Sequence, residues 1–146
     1  MIVVDTTVLV YAVGKAHPLR DPCRRFIPTV YRRCGGRPGE RDDDGRSNQE
    51  FVYVRARRTT RSEASSLGAD YVQLLSPLPA IVEAELMSGL QLFAGVDGLG
   101  AFDAVLSAIA LSRGADAMVS ADAAFARVPG MRHIHPAAAE ADLLLS

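Results

Sequence analysis

Two apolar runs that each lead into an acidic residue constrain the fold of this chain more than any other feature. The first run, residues 2–4, opens the sequence and precedes Asp5, and the second, residues 117–119, is followed closely by Asp122. Short apolar runs of this kind are typical of strands that are buried on both faces of a parallel sheet. We therefore predict a parallel sheet in which two strands deliver an acid at their carboxyl ends.

A helix is predicted just before the second run, and it supplies a third acid. Apolar residues recur there at the i, i+3, i+4 and i+7 spacing of one helical face: Phe102, Val105, Leu106 and Ile109. No Gly or Pro interrupts the pattern until Gly114. Asp103 falls in the first turn, where unpaired N–H groups favour a carboxylate.

Helices and strands alternate along the rest of the chain, which predicts an α/β class with a central parallel sheet flanked by helices. Thr6 or Thr7 is expected to cap the first helix, and residues 78–82 are expected to form a short strand or an extended link. Leu86, Leu90 and Phe93 are expected to face inward from their helix. The predicted helices are 8–14, 19–27, 49–58, 62–75, 83–93 and 136–145, and the strands are 2–4, 117–119 and 131–134.

Length and composition indicate one globular domain over residues 1–146. An apolar content of 49% argues against disorder, and no apolar run approaches the roughly 18 residues of a membrane span. Residues 1–61 carry 13 Lys and Arg against 7 Asp and Glu, whereas residues 62–146 carry 3 against 10. This asymmetry suggests a basic surface for a phosphate backbone beside an acidic site, although a solvated Arg-rich face fits the charges equally well.

The two cysteines support neither a zinc site nor a disulfide framework. Cys23 and Cys34 lack the CxxC spacing, and the chain fits a reducing cytoplasm. The apolar start has no basic region before it and is interrupted by Asp5, so we interpret it as a strand and not as a signal peptide.

Residues 28–48 differ from the sequence on both sides. The interval holds two Pro and four Gly, and it shows no apolar periodicity after Tyr31. A structureless loop of this length is uncommon inside a compact domain. The interval is either a mobile basic loop or, as we hypothesise, a reading-frame excursion between flanks that are in frame, and translation of the other frames of the gene would test this.

The predicted sheet brings Asp5, Asp103 and Asp122 to one edge, although each has an ordinary structural interpretation. Asp5 and Asp122 could simply cap the helices that follow them, and Glu50 could be a surface acid. Clustered carboxylates repel and raise one another's pKa unless a cation neutralises them. With Mg²⁺ or Mn²⁺ such a cluster can activate water for attack at phosphorus.

Three blocks of this sequence resemble the PIN-domain ribonucleases, and most closely the VapC-type toxins of bacterial toxin–antitoxin pairs. The blocks are residues 2–9, 49–51 and 102–125. The resemblance implies a three-layer PIN-like fold and a metal-dependent endoribonuclease. It places the four acids of the family on Asp5, Glu50, Asp103 and Asp122, with Asp5 and Asp103 as the metal ligands, and Ser120 on a position that often holds a small hydroxyl.

The resemblance also implies an RNA substrate, a homodimer and a cognate antitoxin protein. The alternative is a catalytically impaired PIN-like binding module or a decayed toxin, and the atypical interval 28–48 is what favours it. Four arginines on one segment could contact RNA phosphates or form a solvated face: Arg55, Arg57, Arg58 and Arg61.

Overall fold

A small parallel sheet lies at the centre of the molecule. The computed structural model describes the backbone of residues 1–34, 45–75 and 80–145, and the side chains of residues 1–27, 49–72 and 80–145. The strands β1 (Ile2–Val4), β2 (Ala117–Val119) and β3 (His133–Ile134) pair in the order β1-β2-β3. Both pairs are parallel, which confirms the predicted sheet.

The register brings the carboxyl ends of β1 and β2 side by side. Val4 pairs with Val119, and the N–H of Asp5 donates to the carbonyl of Val119 at 3.0 Å. The residues that follow β1 and β2 therefore emerge next to each other at one edge of the sheet.

Six α-helices surround the sheet in the described part of the chain, and the predicted helical regions are confirmed apart from the last. They are α1 (Thr6–Val13), α2 (Arg20–Cys34), α3 (Gly45–Ala56), α4 (Arg61–Leu75), α5 (Glu83–Gly95) and α6 (Ala101–Ser112). Two 3₁₀ helices, Ala123–Arg127 and Ala139–Leu144, complete the described elements. Among the described residues, no helix has the length and apolar content needed to cross a bilayer.

Helix starts follow the capping chemistry of the sequence, with one correction. Asp5 caps α1, because its side chain accepts from the N–H of Thr7 at 3.2 Å, so the predicted cap at Thr6 or Thr7 is wrong. Thr60 and Glu63 form a reciprocal capping box at the start of α4, with bonds of 3.2 and 3.3 Å between each side chain and the other's N–H.

Two hydrophobic clusters, one on each face of the sheet, produce the three layers. Successive strand residues point to opposite faces, so Val4 and Val119 join one cluster whereas Val3 and Met118 join the other. The first cluster contains residues of α1–α4, such as Phe26. The second contains residues of α6 and the first 3₁₀ helix. An α/β fold of the PIN-like type follows from this arrangement.

The prediction that Leu86, Leu90 and Phe93 face inward from α5 is wrong. Leu90 and Phe93 are 48% and 50% exposed. The buried residues of this helix are Glu85 and Gly89. The physical reason is the close approach of α6: a Cβ on Gly89 would lie 2.6 Å from Cγ2 of Val105. Only the small-residue face of α5 can approach α6, and the bulky apolar face is left outside.

Three further expectations are revised by the structure. Phe102, predicted on the inner face of α6, is exposed. Instead of a helix starting at Pro136, the chain has a 3₁₀ helix over Ala139–Leu144. Residues 80–82 form neither helix nor strand, whereas 76–79 lie outside the described residues.

The atypical interval is described only at its two ends. Helix α2 continues to Cys34 and α3 begins at Gly45, so helical backbone extends further into the interval than predicted. The hypothesis about residues 28–48 as a whole lies outside the described residues and stays a prediction.

Candidate active site

Asp5 is held rigidly at the carboxyl end of β1. Its residue is only 2% exposed, and its Oδ2 accepts hydrogen bonds from Thr7 Oγ1 at 2.6 Å and from Ser120 Oγ at 2.7 Å. The N–H of Thr7 adds a third donor to Oδ2 at 3.2 Å. Donors of this kind fix the orientation of a buried carboxylate.

The two hydroxyls also join the ends of β1 and β2. Ser120 Oγ accepts from the N–H of Asp122 at 2.9 Å, and Thr7 Oγ1 accepts from the N–H of Ala121 at 3.1 Å. The carbonyl of Ser120 lies 2.9 Å from Nε2 of His133 on β3. Because each hydroxyl both donates and accepts, the acid of β1 and the loop after β2 are held as one unit.

Glu50 reaches the same edge from α3. Thr6 Oγ1 donates to its Oε2 at 3.1 Å, which attaches this acid to the start of α1. Burial raises the pKa of Glu50, the hydrogen bond from Thr6 opposes that rise, and the charge of Asp5 adds to it. Glu50 is therefore half-buried, bonded to Thr6 and close enough to Asp5 to feel its charge, unlike an isolated surface acid.

Asp103 faces the other three acids from the first turn of α6. Burial, followed by the charges of Asp5, Glu50 and Asp122, raises the pKa of Asp103 from 3.8 to about 7. A hydrogen bond with the backbone of Gly100 acts in the opposite direction. A Cβ at Gly100 would lie 2.7 Å from Oδ2 of Asp103, so the carboxylate occupies space that only glycine leaves open.

Asp122 combines a structural contact with an electrostatic one. Its Oδ1 accepts from the N–H of Ala124 at 2.8 Å, which caps the 3₁₀ helix, as the ordinary interpretation expected. The residue is exposed, and its charge still acts on Asp103.

The carboxylate oxygens at this edge are of the type that a hard divalent cation binds. Within the described residues, no three His, Cys, Asp or Glu side chains are close enough to count as a metal-binding group. Burial raises the pKa of both Asp103 and Glu50, and the charges of neighbouring carboxylates raise them further. Oxygen donors with an excess of negative charge are what Mg²⁺ and Mn²⁺ prefer.

Sequence reasoning missed the roles of Thr6 and Thr7, which it treated only as caps. Their hydroxyls bind Glu50 and Asp5 respectively. The signal was present, because two threonines directly follow a strand-end acid, but the partner of Thr6 lies 44 positions away and is revealed only by the packing of α3 on α1.

A comparison with known proteins identifies the family to which these features belong. No protein-family model matches the chain. The chain is 47% identical over 143 residues to Ribonuclease VapC7 of Mycobacterium tuberculosis (strain ATCC 25618 / H37Rv), which covers 95% of this chain and 94% of that protein. Identity at this level over nearly the whole length of both proteins shows common descent, so the chain belongs to the VapC family of PIN-domain ribonucleases.

Proposed function

We propose that this protein is a divalent-metal-dependent endoribonuclease, the toxin of a type II toxin–antitoxin pair, that hydrolyses RNA phosphodiester bonds. The observation that carries the proposal is the convergence of three acids on Asp103 across elements that are distant in sequence. Similarity to Ribonuclease VapC7 supports RNA as the substrate class. The described residues and the comparison with Ribonuclease VapC7 give no support to the alternative of an inactive binding module, which rests on the interval 28–48 alone.

Asp5 and Asp103 are the residues that would hold Mg²⁺, with Mn²⁺ as a substitute. The bound cation would polarise the phosphate and lower the pKa of water. The hydroxyls of Thr7 and Ser120 donate hydrogen bonds to Oδ2 of Asp5 and so keep the carboxylate in one orientation. Asp122 adds negative charge at the edge of the site.

Glu50 is suited to accept the proton of the attacking water. A general base works best when its pKa lies near the working pH, and burial raises the pKa of Glu50 toward that range. The hydrogen bond from Thr6 restricts the orientation of its carboxylate.

Cleavage of a labelled single-stranded RNA by the purified chain with Mg²⁺ tests the proposal. Asp5→Asn, Asp103→Asn and Glu50→Gln are each expected to lower kcat/KM by at least about 100-fold, because each removes a charge at the reacting centre. Asp70→Asn is the matched control, since Asp70 is an exposed acid on α4. Equal activity in all variants would reveal a contaminating nuclease and refute the proposal.

The partners follow from the same family membership. We propose a cognate antitoxin that blocks the acidic edge, a homodimer, and a cytoplasmic location in which buried Cys23 stays reduced. The outer face of α5 supports the homodimer, because Leu86, Met87, Leu90 and Phe93 expose apolar surface together on one helix.

A further inference from the structure

A second concave site lies at the ends of α1 and α3 that point away from the acids. An open cleft of about 640 Å³ is lined by the last turn of α1, the segment after it, and the last turn of α3 with the residues that follow. Val10, Val13 and Tyr11 contribute apolar and aromatic walls. A volume of this size suits one nucleotide-sized ligand.

The cavity is positively charged. Its lining includes Lys15, His17, Arg55 and Arg58, and the lining residues in the described chain include no acid. The ion pairs found within the described residues involve none of these four side chains. The Nε of Arg55 is buried without a hydrogen-bond acceptor in the described structure.

An aromatic pair lies beside these charges. The rings of Tyr11 and His17 stack with their centroids 4.6 Å apart and an interplanar angle of 27°, and His17 is exposed. Aromatic rings next to Lys and Arg are how proteins hold single-stranded nucleic acid, since bases stack on the rings while the cations contact phosphates.

The helices that carry the acids also lead to this cavity. Helix α1 begins beside Asp5 and contributes Val10 and Val13, while α3 carries Glu50 and ends near Arg55. Arg55 follows Glu50 by five residues, roughly 8 Å along the helix at 1.5 Å per residue.

We propose that this cleft is an RNA subsite that binds a nucleotide near the bond cleaved at the acids, with the phosphate on Lys15, Arg55 and Arg58 and the base against Tyr11 and His17. The assignment rests on the proposed ribonuclease function. The positive charge favours a polyanion over an apolar segment of a protein partner.

Equilibrium binding of a fluorescent single-stranded RNA of about 12 nucleotides, without divalent metal and over a range of salt concentrations, tests the subsite. Lys15→Gln/Arg58→Gln is expected to weaken binding about tenfold and to reduce the log–log salt slope by about 1.4, because each lost phosphate contact is worth about 0.7. Arg127→Gln/Arg132→Gln removes the same charge at exposed positions outside the cleft and is expected to keep the wild-type slope.

Kinetics separate this proposal from the proposed function. The double cleft variant is expected to raise KM for a long RNA while kcat is unchanged, since Lys15 and Arg58 contact none of the four acids. Absence of RNA cleavage by the wild type would overturn the nuclease function, and the binding slopes would still report on the cleft. A wild-type salt slope in the cleft variant would overturn the subsite, as would retained RNA binding together with lost antitoxin binding.

Discussion

Oδ2 of Asp5 shows how single residues set the geometry of the site. Thr7 and Ser120 both donate hydroxyl hydrogens to that oxygen, so the buried carboxylate is compensated by neutral dipoles and has one orientation. Asp103 has a different environment, because burial and three like charges act on it together. The contacts that act on each of these two carboxylates are therefore set by its neighbours in the fold.

Replacing Thr7 tests the orientation of Asp5. Thr7→Val keeps the shape of the side chain but removes the hydroxyl, and it is expected to lower kcat/KM about 10- to 100-fold, as is usual when a partner of a metal ligand is lost. Thr7→Ser retains the donor and is expected to stay within a few-fold of wild type. Similar losses in both variants would indicate that the methyl group, and not the hydroxyl, matters.

The raised pKa of Asp103 makes the free energy of unfolding depend on pH when no metal is present. Because the pKa of Asp103 rises from 3.8 unfolded to about 7 folded, the folded state holds a proton that the unfolded state has released between these values. The folded state therefore becomes less stable as the pH rises from about 4 to about 7. Asp103→Asn is expected to reduce this dependence on pH and to raise the Tm without metal at pH 8 by about 2–8 °C.

Thermal melts with and without Mg²⁺ complete that test. Wild type is expected to gain Tm from Mg²⁺ at pH 8, because the cation binds only the folded site, while Asp103→Asn gains little. If Asp103→Asn were less stable than wild type at pH 8 without metal, burial and like charges would not be what destabilises the ionised Asp103.

At the scale of elements, the packing of α5 against α6 determines where Asp103 lies. Gly89 lets the backbones approach, and Glu85 ties the helices together through Arg113, with Nε–Oε1 and Nη2–Oε2 distances of 2.9 and 3.1 Å. Ser112 Oγ and the N–H of Val82 also donate to Glu85. A shift of α6 would move Asp103 away from the other acids.

Gly89→Ala is expected to destabilise the fold by about 1–3 kcal/mol, because a Cβ there would meet the Cα of Val105 at 2.7 Å. Gly95→Ala in the same helix has no atom within 4 Å of the new Cβ and is expected to be neutral or stabilising by up to about 1 kcal/mol. Urea unfolding measures both. Equal stability of the two variants would show that the helices can separate freely.

The lowered pKa of Glu85 leads us to expect that the folded state loses stability in acid. The hydrogen bonds from Arg113 are the main cause that lowers the pKa of Glu85 from 4.5 to about 2, so this contribution is present above about pH 4.5 and is lost as the pH falls toward 2. Glu85→Gln is expected to cost about 3 kcal/mol at pH 7 because it leaves the Arg113 charge without its partner carboxylate. The cost measured by urea unfolding should shrink at pH 3, and a constant cost would contradict the ion-pair account.

At the scale of the whole molecule, charge and apolar surface are distributed unevenly around one sheet. Helices α1–α3, from the basic part of the sequence, pack on one face, whereas α6 packs on the other, and the charges of Asp5 and Glu50 act on Asp103 of α6. The outer face of α5 carries none of the four acids and exposes apolar side chains.

Leu90→Glu tests the proposed homodimer. The substitution places a charge in the centre of the exposed apolar face of α5, where Leu90 is 48% exposed, so it is expected to shift a dimer to monomer with little change in Tm. Light scattering after size-exclusion chromatography measures the mass, and Gln91→Glu on the same helix is the control. A monomeric wild type, or a Leu90→Glu dimer, would refute the assigned surface.

The sequence by itself determined the layout of the fold and the places of Asp5 and Asp103 at the ends of their elements. Apolar runs of strand length, helical spacing and Asp placed just after a strand are local patterns, and β1, β2, α6 and the positions of Asp5 and Asp103 follow from them. Tertiary structure alone decided which face of α5 is buried, because that depends on how closely Gly89 approaches Val105. Tertiary structure also decided which carboxylates accept hydrogen bonds from Thr6, Thr7 and Ser120. It decided how far neighbouring charges raise the pKa of Asp103, because both depend on distances between residues that are far apart in the chain.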